Sequence, residues 1–245
     1  MKEAYEEGMR QLNEGQSLIA VKKFNEAELL FPQSKWAPRS ALMSAYAYYD
    51  FSFYSDAISE VDRFLKTYPN SKRKDYAHYL KAMSYYNQIV DEKKDLGPIV
   101  EAKKNFQFII SEYPNTEYAM DANFKLELIE EILAAKEMYI GRYYIKKEKW
   151  ISAINRFKKV IDEYERTIYA EEALHRLVEV YYTLGLKNEA QKYAKLLGYN
   201  YQSSKWYENS YSLFNKNYEK RKKERSKTYK KKSSSILEKF KSLIE

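Results

Sequence analysis

From residue 3 to residue 31 the apolar positions recur at three- and four-residue steps, broken once. The stretch "EAYEEGMRQLN" (3–13) keeps this rhythm, pauses near Gly15, and is followed by "SLIAVKKFNEAELLF" (17–31). In the second stretch Ala20, Phe24, Ala27 and Leu30 fall on one side of a 3.6-residue repeat and so share a face. The pattern predicts two antiparallel helices joined by a tight turn, with alanine at the crossing so that the backbones approach closely. Pro32 ends the second helix, because its ring removes a donor and disfavours helix in the residue before it. Ser34, Ser71 and Thr116, each two residues past a proline, read as N-caps of the helices that follow.

The same phrase returns five times: Phe31-Pro32-Gln33-Ser34, Tyr68-Pro69-Asn70-Ser71, Tyr113-Pro114-Asn115-Thr116, Tyr164-Glu165-Arg166-Thr167 and Tyr201-Gln202-Ser203-Ser204. Successive copies lie 37, 45, 51 and 37 residues apart, and an alanine stands twelve positions before the second residue of each: Ala20, Ala57, Ala102, Ala153 and Ala190. Self-similarity at this period is the signature of a solenoid. The unit resembles the tetratricopeptide repeat, a helix–turn–helix, with Gly8, Ala20, Phe24, Ala27 and Pro32 at its signature positions. The small residue at Gly8 reads Ala45, Ala82 and Gly141 in later copies and Val178 in the fifth; the tyrosine three positions on reads Tyr48, Tyr85, Tyr144 and Tyr181.

The expected fold is therefore all-α: a tetratricopeptide-repeat solenoid of five helix-turn-helix units plus an extra helix and a C-terminal capping helix. Repeats one to three form an N-terminal subdomain over 1–116, with "DEKKDLGPIV" (91–100) as a charged Gly-Pro loop inserted in the third. Residues 117–134 read as an extra connecting helix, and 135–215 as a C-terminal subdomain of repeats four and five closed by the cap "SSKWYENSYSLF". Residues 216–245 form a basic tail.

Charge sharpens that last boundary. The net charge is +8, and residues 216–245 supply all of it with 12 Lys/Arg against 4 Asp/Glu; residues 1–215 hold 31 of each sign. The run "KNYEKRKKERSKTYKKK" (216–232) reads as a solubilising tail, with phosphate or anionic-membrane binding as the alternatives. Its two tyrosines, Tyr218 and Tyr229, are too few for a base-stacking platform, so nucleic acid is not the expected partner. "SSSILEKFKSLIE" (233–245) has the pattern of a short amphipathic helix. With 44% hydrophobic residues and 26 tyrosines a packed core is available. No apolar run approaches a membrane span, "SALMSAYAYY" (40–49) being the nearest, and the opening residues show no signal-peptide pattern.

Catalytic chemistry is hard to place. The chain has no cysteine and no Gly-rich phosphate loop. His78 and His175 have no companions at metal-ligand spacing and read as packing or surface residues, and Glu130/Glu131 as a solvated helix face. Without a nucleophile–base constellation the expectation is a protein that is not an enzyme and takes no cofactor or metal.

Binding is the remaining role. The tetratricopeptide resemblance implies that the first helix of each repeat lines a concave groove at the second, fifth, ninth and twelfth positions. On this chain these are Tyr5 and Leu12, then Arg39, Leu42, Tyr46 and Tyr49, then Tyr76, Tyr79, Met83 and Tyr86. Tyrosine combines large contact area, little rotamer entropy and a polar tip, which suits capture of an extended, aromatic-containing peptide. Packing between helices is the alternative use for some of them.

A closer resemblance covers roughly residues 3–214. "LAAKEMYIGRYYIKKEKWISAINRFKKVIDEY" (133–164), "EEALHRLVEVYYTLGLKNEAQ" and "SSKWYENSY", together with "DRFLKTYPNSKRKDYAHYL" and "YPNTEYAMDANFKL", resemble the BamD family, particularly its alphaproteobacterial form. These are the tetratricopeptide lipoproteins of the outer-membrane β-barrel assembly (BAM) complex. The resemblance implies a location on the periplasmic face of the outer membrane. It also implies docking of the C-terminal repeats on the periplasmic (POTRA) domain of BamA, and an N-terminal groove that receives C-terminal targeting segments of unfolded outer-membrane proteins. Other BAM lipoproteins are further partners it allows. The family arginine that contacts BamA falls on Arg156 in "WISAINRF"; Glu137 and Arg142 of "KEMYIGRYY" also match the family, with building the subdomain junction as their alternative role. An internal pair between Arg156 and carboxylates of 128–137 is the competing reading. Family members carry a signal peptide and a lipidated cysteine, and neither is in this sequence; the expectation is a chain trimmed to its soluble part, with Met1 added and the anchor missing. The alternative function is a tetratricopeptide adaptor for other cell-envelope proteins.

Overall fold

A computed structural model of the protein describes residues 2–30, 32–89, 96–201 and 204–215. Phe31 of the first repeat phrase, residues 91–95 of the inserted loop, Gln202 and Ser203, and the stretches 216–232 and 233–245 lie outside the described residues. Eleven helices, and no strand, are found among the described residues. They are α1 (Lys2–Asn13), α2 (Ser17–Leu30), α3 (Ala37–Asp50), α4 (Tyr54–Thr67), α5 (Lys74–Tyr86), α6 (Gly97–Glu112), α7 (Glu117–Lys146), α8 (Trp150–Glu163), α9 (Ala170–Thr183), α10 (Lys187–Asn200) and α11 (Lys205–Phe214). The fold is a tetratricopeptide-repeat solenoid: α1/α2, α3/α4, α5/α6, the end of α7 with α8, and α9/α10 form the five pairs, and α11 packs on α9 and α10 as the cap. No described helix is long and apolar enough to cross a membrane.

The chain divides into two compact units, Met1–Leu133 and Ala134–Glu245. The division falls inside α7. The stretch read as an extra helix, 117–134, continues without a break as the first helix of the fourth repeat.

One turn geometry recurs inside the repeats. Gly15, Ser52, Glu148 and Gly185 all have positive φ, at 76°, 62°, 55° and 79°. Each is followed by a residue whose N–H reaches five positions back: Gln16 to Gln11, Phe53 to Tyr48, Lys149 to Tyr144 and Leu186 to Tyr181, all 2.8–2.9 Å. The left-handed residue itself bonds three back, which completes the helix-ending motif that satisfies two orphan carbonyls at once. Only glycine adopts this conformation without a steric cost, so Ser52 and Glu148 hold it against their own side chains.

The helix crossings follow a volume rule. A Cβ on Gly8 would lie 2.7 Å from the Phe24 ring, and one on Gly141 would strike the Phe157 ring. Both phenylalanines are fully buried. The same register pairs Ala45 with Val61, Ala82 with Phe106 and Val178 with Ala194. Phenylalanine faces glycine or alanine, and valine at the crossing faces alanine, so the fifth copy's Val178 is matched by a small partner and not anomalous.

Two local expectations change. Leu30, placed with Ala20, Phe24 and Ala27, is 52% exposed while those three are buried. Ten residues on from Ala20, it has turned roughly 80° away at 3.6 residues per turn. Ser34 and Ser71 are not helix N-caps: their hydroxyls accept from the N–H two residues on, Trp36 at 3.2 Å and Arg73 at 3.3 Å, inside a turn that precedes α3 and α5. Thr116 is a cap, accepting from Ala119 N–H at 3.2 Å, because α7 begins at the next residue; Ser204 caps α11 through Tyr207 N–H.

Candidate functional site

In the first unit, α3, α5 and the start of α7 bring five phenols together. Tyr46 and Tyr49, one turn apart on α3, have ring centres 6.3 Å apart. Tyr118 on α7 lies 5.6 Å from Tyr76 and 5.0 Å from Tyr79, both on α5. Tyr79 donates to Asp121 at 2.6 Å, and Tyr49 accepts from Asn87 at 2.8 Å. Burial pushes the Tyr76 phenol well above its ordinary value, with Tyr46 and Tyr118 adding to the effect; burial and then the Asp121 carboxylate do the same for Tyr79. The Tyr76 and Tyr79 hydroxyls stay protonated at neutral pH, and the rings of the strip are half-buried.

The other groove candidates separate into distinct roles. Arg39 is exposed, its guanidinium 5.3 Å from the Trp36 ring. Tyr5 packs between Phe24 and Trp36 at 5.6 and 5.1 Å, and Leu12 lies against the same first-repeat core. Met83 and Tyr86 rest on the third-repeat core, Tyr86 edge-on to Phe106 with Lys125 5.2 Å above its ring. Leu42 does not line a groove: it is 3% exposed and packs with Val61, Phe64 and Leu80, since α3 is covered by α4 and α5 on that side. Tyr118 was missed. So were Phe124 and Leu128, exposed at 66% and 49%, which hold the fifth and ninth positions when the repeat register is carried one unit further from Pro114.

The second unit treats its charged residues differently. Arg156 on α8 donates to Glu137 Oε2 at 2.9 Å, and Lys159, one turn on, donates to Oε1 at 2.9 Å. Glu137 is 7% exposed on α7 and is thus clamped between two cations. Burial opposes its charge, but the bonds from Lys159 and Arg156 win and hold the carboxyl below its ordinary value. Arg142 sits 3.1 Å from both oxygens of Glu172 on α9, which also accepts from Arg176. The internal pairing weighed for Arg156 is therefore formed; its side chain, and that of Arg142, keep 38% exposure.

The histidines are packing residues. His175 is buried, with Nδ1 2.8 Å from Ser210 Oγ and its ring against Trp206, joining α9 to the cap. The His78 ring packs at a tilt against Phe108 and Tyr113. No cluster of three metal-ligating side chains occurs among the described residues.

Comparison with known proteins supplies the family. The YfiO family, described as outer membrane lipoprotein, matches residues 1–196. The outer membrane protein assembly factor BamD of Caulobacter vibrioides is 43% identical over 213 residues, 87% of this chain and 70% of that protein. That of Rickettsia prowazekii is 41% identical over 215 residues, 88% of this chain and 85% of that protein. Among solved structures, the TPR2AB domain of yeast Sti1 in complex with pHSP90 aligns at a TM-score of 0.48 and 16% identity, over 86% of this chain and 80% of that one. With the family match spanning most of its length and the helix pairs in place, the chain belongs to the YfiO/BamD family of outer membrane protein assembly factors.

Proposed function

We propose that this protein is a scaffold of outer-membrane protein assembly with two working surfaces, one in each unit. Family membership supports the general role: the relatives are assembly factors, and the role is not an enzymatic one. The first unit binds extended C-terminal segments of unfolded outer-membrane proteins along the tyrosine strip. The second docks on the periplasmic domain of BamA through the surface that carries Glu137, Arg142 and Arg156, at the periplasmic face of the outer membrane.

The observation that carries the reading is the convergence of Tyr46, Tyr49, Tyr76, Tyr79 and Tyr118 from the alternate helices α3, α5 and α7. Side by side they offer ring faces for an apolar or aromatic side chain, and hydroxyls for a peptide backbone that has no secondary structure of its own. For docking, support comes from geometry. Glu137 engages a single Nη of Arg156, so the guanidinium keeps donors for a partner carboxylate.

Calorimetry with the BamA periplasmic domain tests the docking half. Wild-type protein binds at micromolar affinity or tighter, and Arg156→Glu weakens binding at least tenfold, about 1.4 kcal/mol. Unchanged affinity removes Arg156 from the surface, and no binding by a folded wild-type protein removes the docking role.

A further inference from the structure

Beyond the tyrosine strip, the first unit holds a cavity of about 550 Å³ with four cations among its nine lining residues. It opens where the chain enters α3 and α5. Lys35 and Arg39 come from one entry, Lys72 and Arg73 from the other. Asp75 is the one carboxylate in the lining, and it is engaged by the Tyr76 N–H at 2.8 Å. Among the described residues none of the four cations forms an ion pair. Arg39 lies against Trp36, and a guanidinium stacked on a ring keeps its in-plane donors for a ligand.

The same cavity is also lined by Tyr76 and Tyr118, which belong to the tyrosine strip. Groove and cavity are thus continuous. The cations also follow the repeat: Lys35 and Lys72 occupy the same position, after Ser34 and Ser71, and the next copy carries Glu117 there. The fourth copy has Ile168 there and the fifth Lys205, so within the first unit the lysine occurs at the two repeats that flank the cavity.

Lys35, Arg39, Lys72 and Arg73 are exposed and form no ion pair among the described residues, so their donors are available to an anion carried by whatever lies in the groove. We propose that the cavity is a carboxylate-binding subsite that takes the free α-carboxylate of the extended segment lying in the groove. Arg39 and Arg73 supply charge-assisted hydrogen bonds to the carboxylate, and Lys35 and Lys72 supply point charges. The last side chain of the ligand then lies against Tyr76 and Tyr118, and the preceding residues run toward Tyr49 and Tyr79. The site selects the true end of a chain, and an internal copy of the same sequence is rejected for want of the charge. This inference rests on the groove reading.

The test uses the full chain and three ten-residue peptides of one sequence ending in phenylalanine, followed by fluorescence anisotropy at 0.1 M salt. One has a free carboxylate and the second is a C-terminal amide. The third is an amide with an aspartate three residues from its end, which restores the net charge. The expected result is that the free acid binds at least tenfold more tightly than both amides, and that Arg39→Gln with Arg73→Gln lowers acid binding to the amide level without changing amide binding. If acid and amide bind equally, the groove stands and the carboxylate subsite falls. If the aspartate peptide matches the free acid, the attraction is general charge and the subsite again falls. If no peptide binds to protein with native helix content, the groove reading itself is wrong and the subsite goes with it.

Discussion

The two units share one repeat and differ in how they place particular cations. In the second unit Arg156 and Lys159 are drawn onto Glu137, and Arg142 and Arg176 onto Glu172. In the first, Arg63 is used similarly, gripping Glu28 through both terminal nitrogens at 2.9 and 2.6 Å and so tying α4 to α2. Lys35, Arg39, Lys72 and Arg73, at the entries of α3 and α5, are left without ion pairs among the described residues. Packing between the helices obeys the same rule in both units; the difference lies in which polar groups the repeat satisfies internally. A repeat protein can therefore hold its framework constant and change its role by leaving a different set of side chains unpaired.

The largest expected effect probes the shared framework. Gly8→Val and Gly141→Val each place a branched side chain where the Phe24 or Phe157 ring already lies, and each costs about 3 kcal/mol in denaturant melts. Adding Phe157→Ala to Gly141→Val recreates the Val178–Ala194 combination and recovers most of the loss. Tolerance in one unit alone would show that the two do not share the rule.

A middle-sized effect probes the difference. Glu137→Ala removes the acceptor for two cations and costs about 2 kcal/mol, whereas Arg39→Gln changes stability by about 0.5 kcal/mol or less. Because Glu137 titrates below its ordinary 4.5, its contribution is complete at neutral pH and disappears as pH falls through the folded-state value. Acid melts of Glu137→Gln should be flatter below pH 4.5 than those of the wild type. Parallel curves would mean that the clamp contributes nothing.

The smallest effect concerns the turns. Glu148→Gly and Ser52→Gly relieve left-handed residues, and each raises stability by about 1 kcal/mol, read as a higher Tm. A lowered Tm would show that these side chains contribute more than their backbone strain.

How much of this could be read from residues alone varied with how local the cause was. The helix pairs, their proline stops and the five copies are encoded within a few positions of one another, and they were legible. Thr116 behaved as a cap, but Ser34 and Ser71 did not, since what separates them is whether a turn precedes the helix, a matter of three residues of geometry. The continuity of α7 was available locally, with no Gly or Pro between Pro114 and Gly141, but the repeat spacing drew attention to a boundary near 134. Tyr118 and the cationic cavity were invisible for a different reason. They depend on α3, α5 and α7 meeting side by side, and no single stretch of sequence contains that meeting.

The glycine–phenylalanine crossing has a consequence for descent. A lineage cannot move from the Gly141–Phe157 arrangement to the Val178–Ala194 one in a single step, and both intermediates are costly. Valine against phenylalanine drives a branched side chain into a buried ring, at about 3 kcal/mol. Glycine against alanine leaves a void, at about 3–5 kcal/mol. Neither order is favoured, so the two positions change as a pair and a copy that carries one arrangement tends to keep it.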